Sequence, residues 1–76
     1  MPIAVRLAVK AGMAVLKKTN VRWYNAIRAQ LGKGRTAFVN WWNNSVPASV
    51  KNTLYAVTGG LSGNALYDAL LWVFGF

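Results

Sequence analysis

Few side chains in this 76-residue chain could do chemistry. It has no histidine and no cysteine, and Asp68 is its one acidic side chain. General acid–base catalysis needs a group that titrates near neutral pH, and a metal centre needs clustered His, Cys, Asp or Glu. A paired-carboxylate mechanism cannot be built from one Asp, and no motif supports a Ser–Lys pair. The run Gly32-Lys33-Gly34-Arg35-Thr36 faintly resembles a phosphate loop, but lacks the G-x-x-x-x-G-K-[ST] spacing and a preceding strand. It reads as a hinge between helices. Asp68, alone among cations, is expected to pair with a Lys or Arg from an earlier helix. The expectation is a protein that is not an enzyme, with no cofactor and no metal.

What remains is charge and grease. Nine Lys and Arg against one acid give a net charge of +8, yet 55% of the chain is hydrophobic and four residues are Trp. Strong positive charge implies an anionic partner: nucleic acid, a lipid surface or a polyanion. A disordered basic tail would lack the aromatics and aliphatics. High charge joined to high hydrophobicity is the combination that amphipathic membrane binders need. Arg6, Lys10, Lys17, Lys18, Arg22, Arg28, Lys33 and Arg35 all fall in the first 35 residues, and only Lys51 follows. These eight are the candidate groups for attraction to anionic lipid. Each contributes roughly 1 kcal/mol near such a surface, which recruits a protein without inserting it. Trp23, Trp41, Trp42 and Trp72 are the candidates for the membrane interface, where indole rings meet both water and hydrocarbon; the competing role for Trp41 and Trp42 is plain core packing.

The elements that must position these groups are helices. The spacing predicts one from about Ile3 to Lys18, with Pro2 at its first position. Arg6, Lys10 and Lys17 share a narrow face; Val5, Val9 and Leu16 mark the opposite apolar side, which Ala4, Leu7 and Ala11 widen. Thr19-Asn20 reads as an N-cap for a second helix to about Leu31, closed by Gly32 at a C′ position. A third runs from about Arg35 to Asn44, with Phe38, Trp41 and Trp42 at i, i+3, i+4, and Ser45-Val46-Pro47 breaks it. A fourth covers about Pro47 to Val57, ended by Thr58-Gly59-Gly60. Ser62-Gly63-Asn64 opens the fifth, to about Phe74, apolar on most sides and so either central or lipid-facing. No β pattern and no internal repeat competes. Residues 54 to 76 are the only stretch long enough to span a bilayer, and Gly59, Gly60, Ser62, Gly63, Asn64 and Asp68 make them a poor span. The whole chain reads as one all-α domain, 1–76. With no disulfide or metal to brace it, a domain this small must draw stability from helix packing, a partner or a membrane.

This pattern resembles the leaderless bacteriocins of the aureocin and lacticin type and their longer saposin-like relatives. The resemblance spans the chain: a start at Met1 with no leader, short helices, many Lys, several Trp and no Cys. It rests on pattern and not on a signature motif, and such relatives are often shorter and richer in Lys than Arg. It implies a compact saposin-like bundle of four or five short amphipathic helices. It also implies a secreted, antimicrobial protein that permeabilises the anionic phospholipid membrane of target bacteria without a protein receptor. Export by a dedicated transporter and self-association on the membrane follow from the same likeness. The start lacks a secretory signal pattern, because Arg6 and Lys10 interrupt the apolar run. Circular bacteriocins are similar in size and charge, but Gly75 and Pro2 would disfavour a helix through joined ends, so a linear chain is expected. Two other readings compete. A small basic nucleic-acid-binding protein would also use +8, but no helix-turn-helix, zinc-ligand or RNP-type pattern is present. A phage- or toxin-type membrane protein acting from inside the cell would need a credible spanning helix. No nucleic-acid partner is expected.

Overall fold

The computed structural model describes residues 3–75. It contains five α-helices: α1 (Ile3–Thr19), α2 (Val21–Leu31), α3 (Arg35–Ser45), α4 (Ala48–Thr58) and α5 (Gly63–Phe74). The principal extents are 26 × 25 × 21 Å. Every break read from the sequence falls at or between helix ends, and each predicted boundary lies within a residue or two of the observed one. The role given to Pro2 lies outside the described residues.

The breakers act by different means. Val46 and Pro47 are both extended, with ψ near 127° and 153°, so α3 cannot run on into α4. Gly59 takes the left-handed conformation at φ 77° and its N–H donates to the Tyr55 carbonyl, closing α4. Ser62 caps α5, its hydroxyl accepting from the Ala65 N–H at 3.2 Å. Two local expectations fail. Gly32 keeps right-handed helical angles (φ −69°, ψ −11°), and the positive φ that only glycine accepts easily moves two residues on, to Gly34 at 98°. Asn20 does sit at the N-cap of α2, but its side chain makes no capping bond. The preceding Thr19 hydroxyl donates instead to the Val15 carbonyl of its own helix.

α5 is the central helix. It packs against α1, α2 and α3, and its Leu66, Ala69 and Leu70 are buried. The core gathers round it from every element: Val9, Met13 and Leu16; Ile27 and Leu31; Phe38 and Trp42; Val50 and Leu54. The most extensive helix contact is α1 on α4. A Cβ at Gly12 would stand 2.6 Å from Leu54 Cδ2 and 3.0 Å from Val57 Cγ2, so only glycine lets the two axes approach this far. Among the described residues no polar or charged side chain is buried, and no buried side-chain N or O lacks a partner.

The widened apolar side assigned to α1 requires correction. Val9 and Leu16 face inward as expected and Val5 is half-buried; Met13, not named in that reading, is buried with them, but Ala4, Leu7 and Ala11 do not join them. Leu7 is 53% exposed, Ile3 65% and Val15 46%. Ile3, Leu7, Ala11 and Val15 recur every four residues along the outward side of the helix, with Ala14 beside them. α1 therefore has two apolar faces, and only one is covered by the bundle.

Candidate functional site

Three of the basic residues of α1 run along one seam between those two faces. Arg6, Lys10 and Lys17 line up at i, i+4 and i+11, and Lys18 follows in the last turn. Arg6 is half-buried and the three lysines are exposed. Burial explains the direction they take: on one side of the seam α5 and α2 bring up aromatic rings, and the cations lie on them. The Arg6 guanidinium stands 5.5 Å from the ring centroid of Trp72, Lys17 Nζ 5.9 Å from that of Tyr24, and the Arg28 guanidinium 5.8 Å from that of Phe74. Tyr24 and Phe74 meet edge-to-face at 5.5 Å. Contacts of this kind give about 0.5–1 kcal/mol each at exposed sites, so they hold the cations in place without neutralising them.

Between these pairs lies an open groove of about 210 Å³. Met13, Ala14, Val73, Phe74 and Tyr24 form its floor and walls, and Lys10 and Lys17 stand along its edge. A helix rises ~1.5 Å per residue, which sets the two lysines roughly 10 Å apart along one side.

Arg35 behaves differently from the other cations. Its guanidinium donates to the Asp68 carboxylate and, at 3.3 Å, to the Asn64 carbonyl, and it lies 4.8 Å from the Tyr67 ring centroid. The hydrogen bond to Asp68 raises the Arg35 pKa above its ordinary value, against an opposing effect of desolvation. The contribution through Arg35 is present below the ordinary arginine range and lost above it, so Arg35 does not titrate out of the pairing at physiological pH. The cation from an earlier helix that Asp68 was expected to find is thus Arg35, at the N-terminus of α3. With the chain's one acidic side chain engaged, no carboxylate side chain is left for the remaining cations. Arg22 and Lys33 are exposed. Lys51 donates to the Asn43 carbonyl at 3.4 Å.

The four tryptophans separate. Trp42 is completely buried, its ring stacked 6.1 Å from Phe38 and its indole N–H donating to the Tyr55 hydroxyl at 3.1 Å. It is a core residue in this closed form. Trp41 is half-buried and links Phe38 (5.9 Å) to the half-buried Trp23 (6.1 Å), so a ladder of rings leads from the core to the surface. Trp72 alone is broadly exposed, at 44%. Sequence reasoning missed the outward apolar stripe of α1 and the groove. The stripe could have been found by noting that Ile3, Leu7, Ala11 and Val15 repeat every four residues on a face distinct from Val9, Met13 and Leu16. The groove depends on which helices meet, for which the sequence carries no local signal.

No protein-family model, curated protein or solved structure matches this chain. The functional reading therefore rests on these surfaces.

Proposed function

We propose that this chain is a non-enzymatic cationic protein of the bacteriocin type that binds anionic bacterial membranes and permeabilises them, acting at the target cell surface after export. One observation carries the reading: a stripe of large apolar side chains left open on α1 (Ile3, Leu7 and Val15), bordered on one side by Arg6, Lys10 and Lys17 and ended by Lys18, none of which has a carboxylate side chain as partner. A solvated helix places polar residues on its outer face. Here that face suits hydrocarbon and its borders suit phosphate. Four or five cations near an anionic surface supply about 4–5 kcal/mol of attraction. Burying the exposed portions of the apolar side chains adds to this, at about 1.5–3 kcal/mol for each large side chain taken fully out of water.

No helix among the described residues is long and apolar enough to cross a membrane. The 17 residues of α1 rise about 25 Å, against a hydrocarbon core of about 30 Å. Damage of the interfacial kind fits these lengths: α1 lies in the plane of the head groups and the helices behind it follow.

The test is release of a trapped dye from vesicles. Vesicles rich in phosphatidylglycerol should leak, and pure phosphatidylcholine vesicles should leak far less. The double variant Leu7→Gln with Val15→Gln, altered only on the exposed stripe, should keep its helix content and lose most of the release. Equal leakage from both lipids would refute recruitment by charge. Tight binding to duplex DNA with no response to either vesicle would favour the nucleic-acid reading instead.

A further inference from the structure

The groove at the junction of α1, α2 and α5 goes beyond general attraction to a charged surface. We propose that it is a discrete site for one anionic amphiphile, a single phospholipid-type molecule whose phosphate rests between Lys10 and Lys17 and whose alkyl chain lies along Met13, Val73 and Phe74. The inference rests on the membrane reading above, and it concerns stoichiometric binding of single lipid molecules where that reading concerns bilayers.

Three features argue for this occupant. The edge is doubly cationic, and among the described residues neither Lys10 nor Lys17 has a carboxylate partner, so a phosphate there meets two positive charges. The floor is apolar, which a free phosphate would leave wet and an alkyl chain would cover. The rings that line the groove already carry cations, Lys17 over Tyr24 and Arg28 over Phe74, which leaves less open ring face for a nucleobase than for an alkyl chain. At about 210 Å³ the groove is smaller than a pocket for a drug-sized ligand, and suits part of one chain. Met13 gives it room to adapt, since an unbranched thioether side chain repacks more easily than a branched one.

The test uses water-dissolved lysolipid below its micelle concentration, with the methyl and aromatic NMR signals of Met13, Val73, Tyr24 and Phe74 as reporters. Lauroyl-lysophosphatidylglycerol should bind saturably, one per chain. Lauroyl-lysophosphatidylcholine should bind about tenfold more weakly, and inorganic phosphate should leave the apolar reporters unmoved. Val73→Phe, which fills the groove from its α5 side, should abolish lysolipid binding. Lys10→Gln with Lys17→Gln, changes confined to exposed side chains, should weaken it about tenfold or more. Equal affinity for the two lysolipids, or full affinity in the Val73→Phe protein, would overturn the assignment. Lysolipid binding by a protein that leaks no vesicles would uphold the groove and sink membrane disruption; vesicle leakage with no lysolipid binding would do the reverse.

Discussion

Trp42 and Trp72 are the same residue type put to opposite uses. Trp42 fills the centre of the aromatic ladder, and its one polar atom is satisfied by the Tyr55 hydroxyl. Replacing Trp42 by Ala removes a large buried ring at a cost of about 3–5 kcal/mol. In a bundle this small that is most or all of the stability, so the variant should lose its cooperative denaturation transition. Tyr55→Phe removes only the acceptor and should lower stability by about 1 kcal/mol. Trp72→Ala, at an exposed position, should shift the chemical-denaturation midpoint little while reducing partition into phosphatidylglycerol vesicles. If Trp42→Ala and Trp72→Ala were equally stable, the core assignment of Trp42 would fail. The sequence places Trp41 and Trp42 on one stripe, but neighbouring residues on a helix point about 100° apart. Only one of the pair can face inward fully, and the choice falls to the helix packed opposite.

At the level of elements, the approach of α1 to α4 depends on Gly12. A branched side chain there must displace Leu54, which is fully buried, and Val57 beside it. Gly12→Val should therefore destabilise by about 1–3 kcal/mol, the usual cost of overpacking, measured as a drop in denaturation midpoint with helix content retained. An unchanged midpoint would mean that the two helices separate freely. Helix positions were legible in the sequence because each break has its own chemistry: Gly32 to Gly34, Val46-Pro47, Gly59-Gly60, and Ser62 as a cap. The width of the buried side of α1 was not. Val9, Met13 and Leu16 form one apolar face, and Ile3, Leu7, Ala11 and Val15 another; periodicity alone does not say which of two greasy faces meets the core. The positive φ of this loop lies at Gly34, the N-cap of α3, and not at Gly32. Gly32 and Gly34 are equally permissive, and the path needed to start α3 selected the second.

For the molecule as a whole, charge and exposed apolar surface coincide along α1, and the acid that could dull the charge is spent on Arg35. The all-α character was readable from spacing and turn signals, and the scarcity of catalytic side chains from composition. The groove was not, since it forms where the distant α5 meets the consecutive α1 and α2. The absence of any buried polar or charged side chain among the described residues has a further consequence. Lipid tails are as apolar as leucine, so to these inner faces a detergent micelle is almost the same medium as one another. The tertiary arrangement is held mainly by burial of apolar side chains from water, with the Trp42–Tyr55 hydrogen bond added. In anionic micelles the far-ultraviolet circular dichroism should hold or rise while the near-ultraviolet signal of Trp42 fades, as the helices trade their neighbours for surfactant without ever unravelling.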